Sequence, residues 1–413
     1  MEEQKQAKQQ MQIDSNIINT LSKAVRVPKK KGNLDRDEYK KGINASKTKA
    51  LFLLFEDALE EFKANSFIDE NFSTASTLLK GVNYTIKDIE ELCLTLSKSY
   101  TNETTSIGIF ISAAINKIIK ETDTINLDFT GIEVNYLGYC LTRGNLIIKG
   151  SVGYDTGQSM QSGSITIHGN AGDCTGYYME EGSIIVDGNA GEDTGEYMRS
   201  GSITIHGNAG DFTGGSMKGG SIIVDGNSGK YTGHFMQSGS ITIHGNAGDC
   251  TGYYMEDGSI IVDGNAGDAT GRFMKGGSII VDGNAGKYTG DSMQSGSITI
   301  HGNAGDWTGN SMEDGSIIVD GNAGKYTGDF MQSGSITIHG NAGEYTGHSM
   351  EGGSIIVDGN AGNYVGIFSE GGEIKVNGEI NGISNNAKAA IFCEGKRAKS
   401  IEYLNSRKVI HWV

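Results

Sequence analysis

The sequence predicts a mostly β chain, a β-solenoid of about 12 rungs preceded by a small α-helical domain, and three observations carry that expectation. The first is composition: 413 residues hold 63 glycines and one proline, Pro28, and 56 of the glycines fall between Gly144 and Gly382. The second is a period of 19 residues without insertion: Gly150, Gly169, Gly188 and every equivalent position to Gly378 are glycine. Eleven of the 13 methionines, from Met160 to Met350, keep one register of the same period. The third is the alternation inside a unit such as GSITIHGNAGDCTGYYMEE, beginning at Gly163, where Ile165 and Ile167 alternate with Thr166 and His168. A period of two fits a strand and excludes a helix.

One such unit cannot bury its own apolar face. Stacking units about every 4.8 Å turns the Ile pairs into internal ladders, and each fully buried Ile or Val contributes on the order of 1.5–3 kcal/mol. Glycine suits the corners, which need positive φ or close backbone approach. Asn170 and its equivalents are expected beside them, tolerating the left-handed conformation and forming an amide ladder down the corner. Proline is missing from the rungs because each strand must donate to its neighbours.

The remainder of the chain divides by composition. Residues 1–45 read as a basic helix (Ile17, Ile18, Leu21, Val25) and a charged linker, PKKKGNLDRDEYKK. Residues 46–124 read as a small helical domain, with a stripe at Leu51, Phe52, Leu54, Phe55, Ala58, Leu59 and Phe62. In the same domain Thr85 and Asp88 are spaced as a capping box, and Ile111, Ala114, Ile115 and Ile118 form a third helical stripe. That last helix is expected to cover the open end of the stack, with 125–382 as the β-helix and 383–413 as the opposite cap.

Several classes are excluded on the same grounds. One proline rules out collagen, and regular Ile and Val pairs argue against disorder. The longest apolar run, Ile107 to Ile119, is interrupted by Asn116 and Lys117, so no membrane span is expected. The opening MEEQKQAKQQ lacks an apolar core, which makes a cytoplasmic protein the default expectation. A formal charge of −16 argues against nucleic acid on the solenoid. The five cysteines show no CxxC and read as reduced thiols; Cys174 and Cys250, four repeats apart, would lie about 19 Å from each other.

The segment INLDFTGIEVNYLGYCLTRGNLIIKG (Ile125 to Gly150), followed by repeated GNAGxxTGxxMxxGSIxV, resembles the GXGXG-type β-helix found both in the C-terminal domain of glutamate synthase large subunits and in a component of formylmethanofuran dehydrogenase. The resemblance covers about 131–382. It implies a right-handed parallel β-helix acting as a non-catalytic scaffold against redox subunits. The amidotransferase domain, flavin-binding barrel and iron–sulfur cysteine set of those enzymes have no counterpart in these residues.

Two outward files are candidate sites. The first is a charge ladder: His168, Asp187, His206, Asp225, His244, Asp263, Asp282, His301, Asp320, His339 and Asp358. It could bind metal or respond to pH, but a straight file diverges where a metal needs converging ligands. A complementary-charge ladder is the reading adopted. The second is aromatic: Phe212, Tyr231, Tyr288, Trp307, Tyr326, Tyr345 and Tyr364 share one register, the last five on successive rungs. Those five form the candidate interaction surface, for a sugar, a flat partner or another copy, set against rings that stack on each other and shield the corners. The threonine of each xTG (Thr175, Thr194, Thr213) offers a flat array of the ice-binding kind, which a missing second threonine file disfavours.

No nucleophile set, phosphate loop or metal signature stands out, and every candidate residue is one of many copies. The expected role is therefore a non-enzymatic structural or partner-binding scaffold with no cofactor, its partner either itself or subunits of a larger complex. The alternatives are an accessory subunit of a multi-subunit redox enzyme and a glycan- or surface-binding module.

Overall fold

The structure is a computed structural model that describes residues 47–62, 67–383, 386–393, 396–404 and 407–412. The helix expected over Ile17 to Val25 and its linker lie outside the described residues. Four helices open the described chain: α1 (Lys47–Phe62), α2 (Ile68–Leu78), α3 (Ile86–Ser99) and α4 (Thr104–Ile118). Helix α1 buries Leu51, Leu54, Phe55, Ala58, Leu59 and Phe62, the stripe its spacing predicts. Helix α3 starts at a capping box, with the Asp88 N–H bonded to the Thr85 hydroxyl and the Thr85 N–H to the Asp88 carboxylate at 2.8 Å. Helix α2, IDENFSTASTL, carries only a short apolar stripe, Ile68, Phe72 and Ala75 at i, i+4 and i+7; it packs that stripe on the core and lies against α4.

Helix α4 is buried from Ile107 through Ile115, because the other helices cover one side and the first turn of the solenoid covers the other. Its Gly108 is required: a Cβ there would sit 1.7 Å from the Asn135 carbonyl oxygen. The Ser112 hydroxyl donates to the Tyr136 carbonyl at 2.9 Å. One hydrophobic core runs unbroken from Leu51 to Cys393.

The solenoid has about 14 turns. Its strands are β1 (Thr124–Asp128), β2 (Asn145–Lys149), β3 (Ser164–His168), one four-residue strand per repeat through β14 (Glu373–Val376), and β15 (Ala390–Cys393). Neighbours pair in parallel without a slip, Ile165 against Ile184 and Ile167 against Val186. The strict 19-residue repeat accounts for about 12 of these turns, and one turn with a different step lies at each end. Thr124 pairs with Asn145 and Ile374 with Ile391, steps longer and shorter than the 19-residue repeat, so both terminal turns escape a strict-period search. Beyond β15 the chain reverses into an antiparallel pair, β16 (Lys396–Leu404) and β17 (Arg407–Trp412).

The rest of each repeat folds into two tight turns. Tyr177 N–H donates to the Cys174 carbonyl at 3.1 Å and Met179 N–H to that of Gly176 at 3.0 Å. Alternate residues are left-handed: Cys174 (φ 58), Gly176 (φ 72) and Tyr178 (φ 54). The asparagines are not among the left-handed residues, which corrects the expected role of Asn170. Their contribution is the ladder itself: the backbone N–H of Asn189 donates to Asn170 Oδ1 at 2.9 Å, and so on to Asn360 on Asn341 at 2.8 Å. Asp173 repeats the device by accepting the N–H of Glu192 at 2.9 Å. Thr175 and its equivalents face inward and are fully buried, Oγ1 donating to the Gly172 carbonyl at 2.9 Å, so the threonines form no surface array. The methionine file is likewise fully buried, from Met160 to Met350.

Candidate functional site: a charge ladder and two aromatic files

Period-two alternation puts the charge ladder on the outer face of the strands. Each imidazole bonds the carboxylate of the following turn: His168 Nδ1 to Asp187 Oδ2 at 2.7 Å, His206 to Asp225 at 2.7 Å, His244 to Asp263 at 2.7 Å, His301 to Asp320 at 2.6 Å and His339 to Asp358 at 2.6 Å. Asp263 and Asp282 stand on consecutive turns, and His301 Nε2 reaches Asp282 Oδ1 at 3.8 Å, placing an imidazole beside the repeated like charge. The ladder also extends one step earlier than the repeats suggest, because Lys149 pairs with Asp128 at 3.0 Å in the same file. The bond from Asp263 raises the pKa of His244, and the bond from Asp320 raises that of His301. His339, with Asn377, holds the Asp358 carboxyl below the usual range. Among the described residues no three His, Cys, Asp or Glu side chains converge to hold a metal ion.

The aromatic residues occupy the first left-handed position of each turn segment. Tyr288 stacks on Trp307 (5.0 Å between ring centroids, 7° between planes), Trp307 on Tyr326 (5.6 Å, 5°), Tyr326 on Tyr345 (4.7 Å, 5°) and Tyr345 on Tyr364 (5.0 Å, 16°). Phe212 and Tyr231 form a separate pair at 5.0 Å. The rings are half-buried except Tyr364, which is exposed. Both faces of Trp307 are thus taken up by its neighbours.

A second aromatic file, absent from the sequence-based candidates, runs beside the first. It occupies the other left-handed position: Tyr178, Tyr197, Phe235, Tyr254, Phe273, Phe330 and Phe368, with serine at 216, 292, 311 and 349. Tyr178 stacks on Tyr197 at 4.8 Å, Phe235 on Tyr254 at 5.1 Å and Tyr254 on Phe273 at 4.8 Å. Its signal in the sequence is the same 19-residue register, diluted by serine. Several of its rings are exposed, Phe330 and Phe368 by more than half.

Between the files runs a polar row. Arg272 lies over the rings of Phe273 and Tyr288 and pairs through Nε with the buried Asp291 at 2.7 Å, while Asn310 donates to the other Asp291 oxygen at 2.6 Å. Asp329 and His348 meet at 2.6 Å, and burial raises the Asp329 pKa. No disulfide joins the described cysteines, and burial suppresses two of the thiols, pushing Cys174 up to about 12 and Cys140 up to about 11.

No curated protein matches the chain. Residues 174–298, spanning turns built on this repeated Gly-rich turn segment, match the family model of the GXGXG motif.

Proposed function

We propose that this chain is a non-catalytic scaffold whose partner-binding surface is the side carrying the two aromatic files. One observation carries the reading: the side chains capable of chemistry recur in files along a rod of hydrogen-bonded turns, where repetition creates a surface rather than a reacting centre. The suppressed thiols and outward, one-to-one His–Asp pairs agree with it. Exposed Phe330 and Phe368 supply apolar anchors beside a polar row, the composition of a protein contact. Glycan stacking is the weaker use of the first file, since Tyr288 and Tyr326 cover both faces of Trp307. The GXGXG match favours a second reading, an accessory subunit of a multi-subunit redox enzyme.

Purification from the native host under mild conditions, with mass measurement and imaging of the particle, tests both. Homogeneous rods, rings or fibres of this chain alone support a self-assembling scaffold. Flavin- or iron-containing subunits alongside it establish the second reading.

A further inference from the structure

The second aromatic file has one single-turn break with no ring stacked in it, at Ser216, whose side chain bonds to Tyr197 on one side while the His234 ring stands 4.1 Å from Phe235 on the other. Tyr197 is stacked on Tyr178 and Phe235 is stacked on Tyr254, so each has one ring face committed and one turned toward the turn that lies between them. That turn carries Gly215 and Ser216 where its neighbours carry Glu196 with Tyr197 and His234 with Phe235. Two turns separate the ring faces by about 9.6 Å, twice the stacking distance, which leaves room for one more ring.

The other serine gaps are closed or the wrong width. At Ser349 the His348 ring stands edge-on between Phe330 and Phe368, 5.8 Å from each. Ser292 and Ser311 are consecutive, so Phe273 and Phe330 lie about 14 Å apart, and Asn310 is tied down to Asp291. Gly215 is also not demanded by the backbone. It is not among the positive-φ glycines, and a Cβ would meet its nearest neighbours, the Phe212 carbonyl oxygen and Glu196 Cγ, at 3.2 and 3.3 Å. Every other turn from Gln158 to Ile367 places a side chain there.

We propose that the Tyr197–Phe235 gap is a binding slot for a single planar nitrogen aromatic that presents an amidine-type N–H edge to Glu196. The stacked faces select flatness. The half-buried Glu196 carboxylate, with Asp193 on the same turn, selects a ring carrying paired donors or positive charge, because such an edge matches a carboxylate's two oxygens. Burial and the neighbouring Asp193 charge raise the Glu196 pKa against the lowering effect of its hydrogen bond with Tyr197, and burial lowers that of His234, so a ligand edge would share the carboxylate with Tyr197. The inference stands on this turn alone and does not depend on the scaffold reading.

The test uses the full chain and two probes of equal shape, benzamidine and its neutral counterpart benzamide, in calorimetric and ligand-observed NMR titrations. The expected result is saturable binding of one benzamidine per chain, at least ten-fold tighter than benzamide. Ser216→Tyr, which extends the stack as tyrosine already does at 178, 197 and 254, abolishes it; Ser311→Tyr, in the wide gap, does not. Glu196→Gln lowers benzamidine affinity at least ten-fold and leaves benzamide unchanged, a readout that holds if Ser216→Tyr folds poorly. Binding that survives both Ser216→Tyr and Glu196→Gln, or no saturable benzamidine binding to the parent chain, overturns the proposal.

Discussion

The side-chain amide of Asn116 stands in for a missing solenoid turn: its Nδ2 donates to the Tyr139 carbonyl at 3.1 Å while its Oδ1 accepts the Thr142 N–H at 3.1 Å. In the body of the rod the equivalent backbone groups bond to neighbouring turns, as in Ser159 N–H on the Tyr177 carbonyl and Glu180 N–H on the Met160 carbonyl. One residue of helix α4 thus satisfies a donor and an acceptor that the first turn would otherwise leave open. Asn116→Leu keeps the size and removes both bonds, and each part-buried group left unpaired costs about 1–3 kcal/mol. Denaturant unfolding should show a loss of at least that size. Unchanged stability would mean water replaces the amide at no cost.

The His–Asp ladder makes stability depend on pH in a definite direction. The folded pKa values of His244 and His301 are raised by their aspartate partners, so the contribution is complete below the unfolded histidine value of about 6.5 and lost as pH rises through the folded values. His234, lowered by burial, works the other way, so the measurement belongs on a His234→Gln background. The melting temperature there should rise from pH 8 to pH 6, and replacing His244 and His301 by Asn should flatten the slope. A steady fall over the same range contradicts the assignment.

Register predicts which deletions fold. Removing residues 239–257 takes out one whole turn and joins identical backbone positions, so a shorter rod with cooperative melting is expected. Removing ten residues sets the strand of one unit against the turn segment of the next and breaks the Ile files. Circular dichroism and thermal melting distinguish them, and equal stability of the two would contradict in-register stacking.

Glycines in the turn segment differ in what they tolerate. At Gly252 (φ 68) a Cβ would lie 2.4 Å from Ile279 Cδ1, inside the core, whereas at Gly215 the nearest atoms are 3.2 Å away and φ is not positive. Gly252→Ala combines backbone strain of about 1–3 kcal/mol with overpacking of similar size, while Gly215→Ala should change stability by under about 1 kcal/mol. Paired urea titrations read the contrast; equal losses would refute it.

Much of this molecule is visible in its primary structure because the repeat averages out local noise. Strand β3, its inward Ile165 and Ile167, and the His–Asp pairing of His168 with Asp187 all follow from alternation and a constant step. What stays hidden breaks the period or is too short to stand out: the first and last turns, with their altered steps, and helix α2, whose 11 residues carry a stripe of only Ile68, Phe72 and Ala75. The second aromatic file is hidden for a different reason. Tyr178 and Phe235 share a register, but serine at 216, 292, 311 and 349 dilutes it below notice.

The amino-acid sequence alone determined the stacking period, the strand faces and the charge alternation, since these depend on residue spacing and on a backbone that repeats every 19 residues. Only the tertiary structure decided that consecutive turn residues alternate between left-handed and ordinary conformations. That alternation sends Thr175 into the core while Cys174 and Tyr178 flank Tyr177 on the surface, so linear position no longer reveals direction. It also decided that Asn116 is an end cap rather than an interruption in an apolar helix. An unpaired backbone group acquires its partner from whatever side chain packing brings within hydrogen-bond reach.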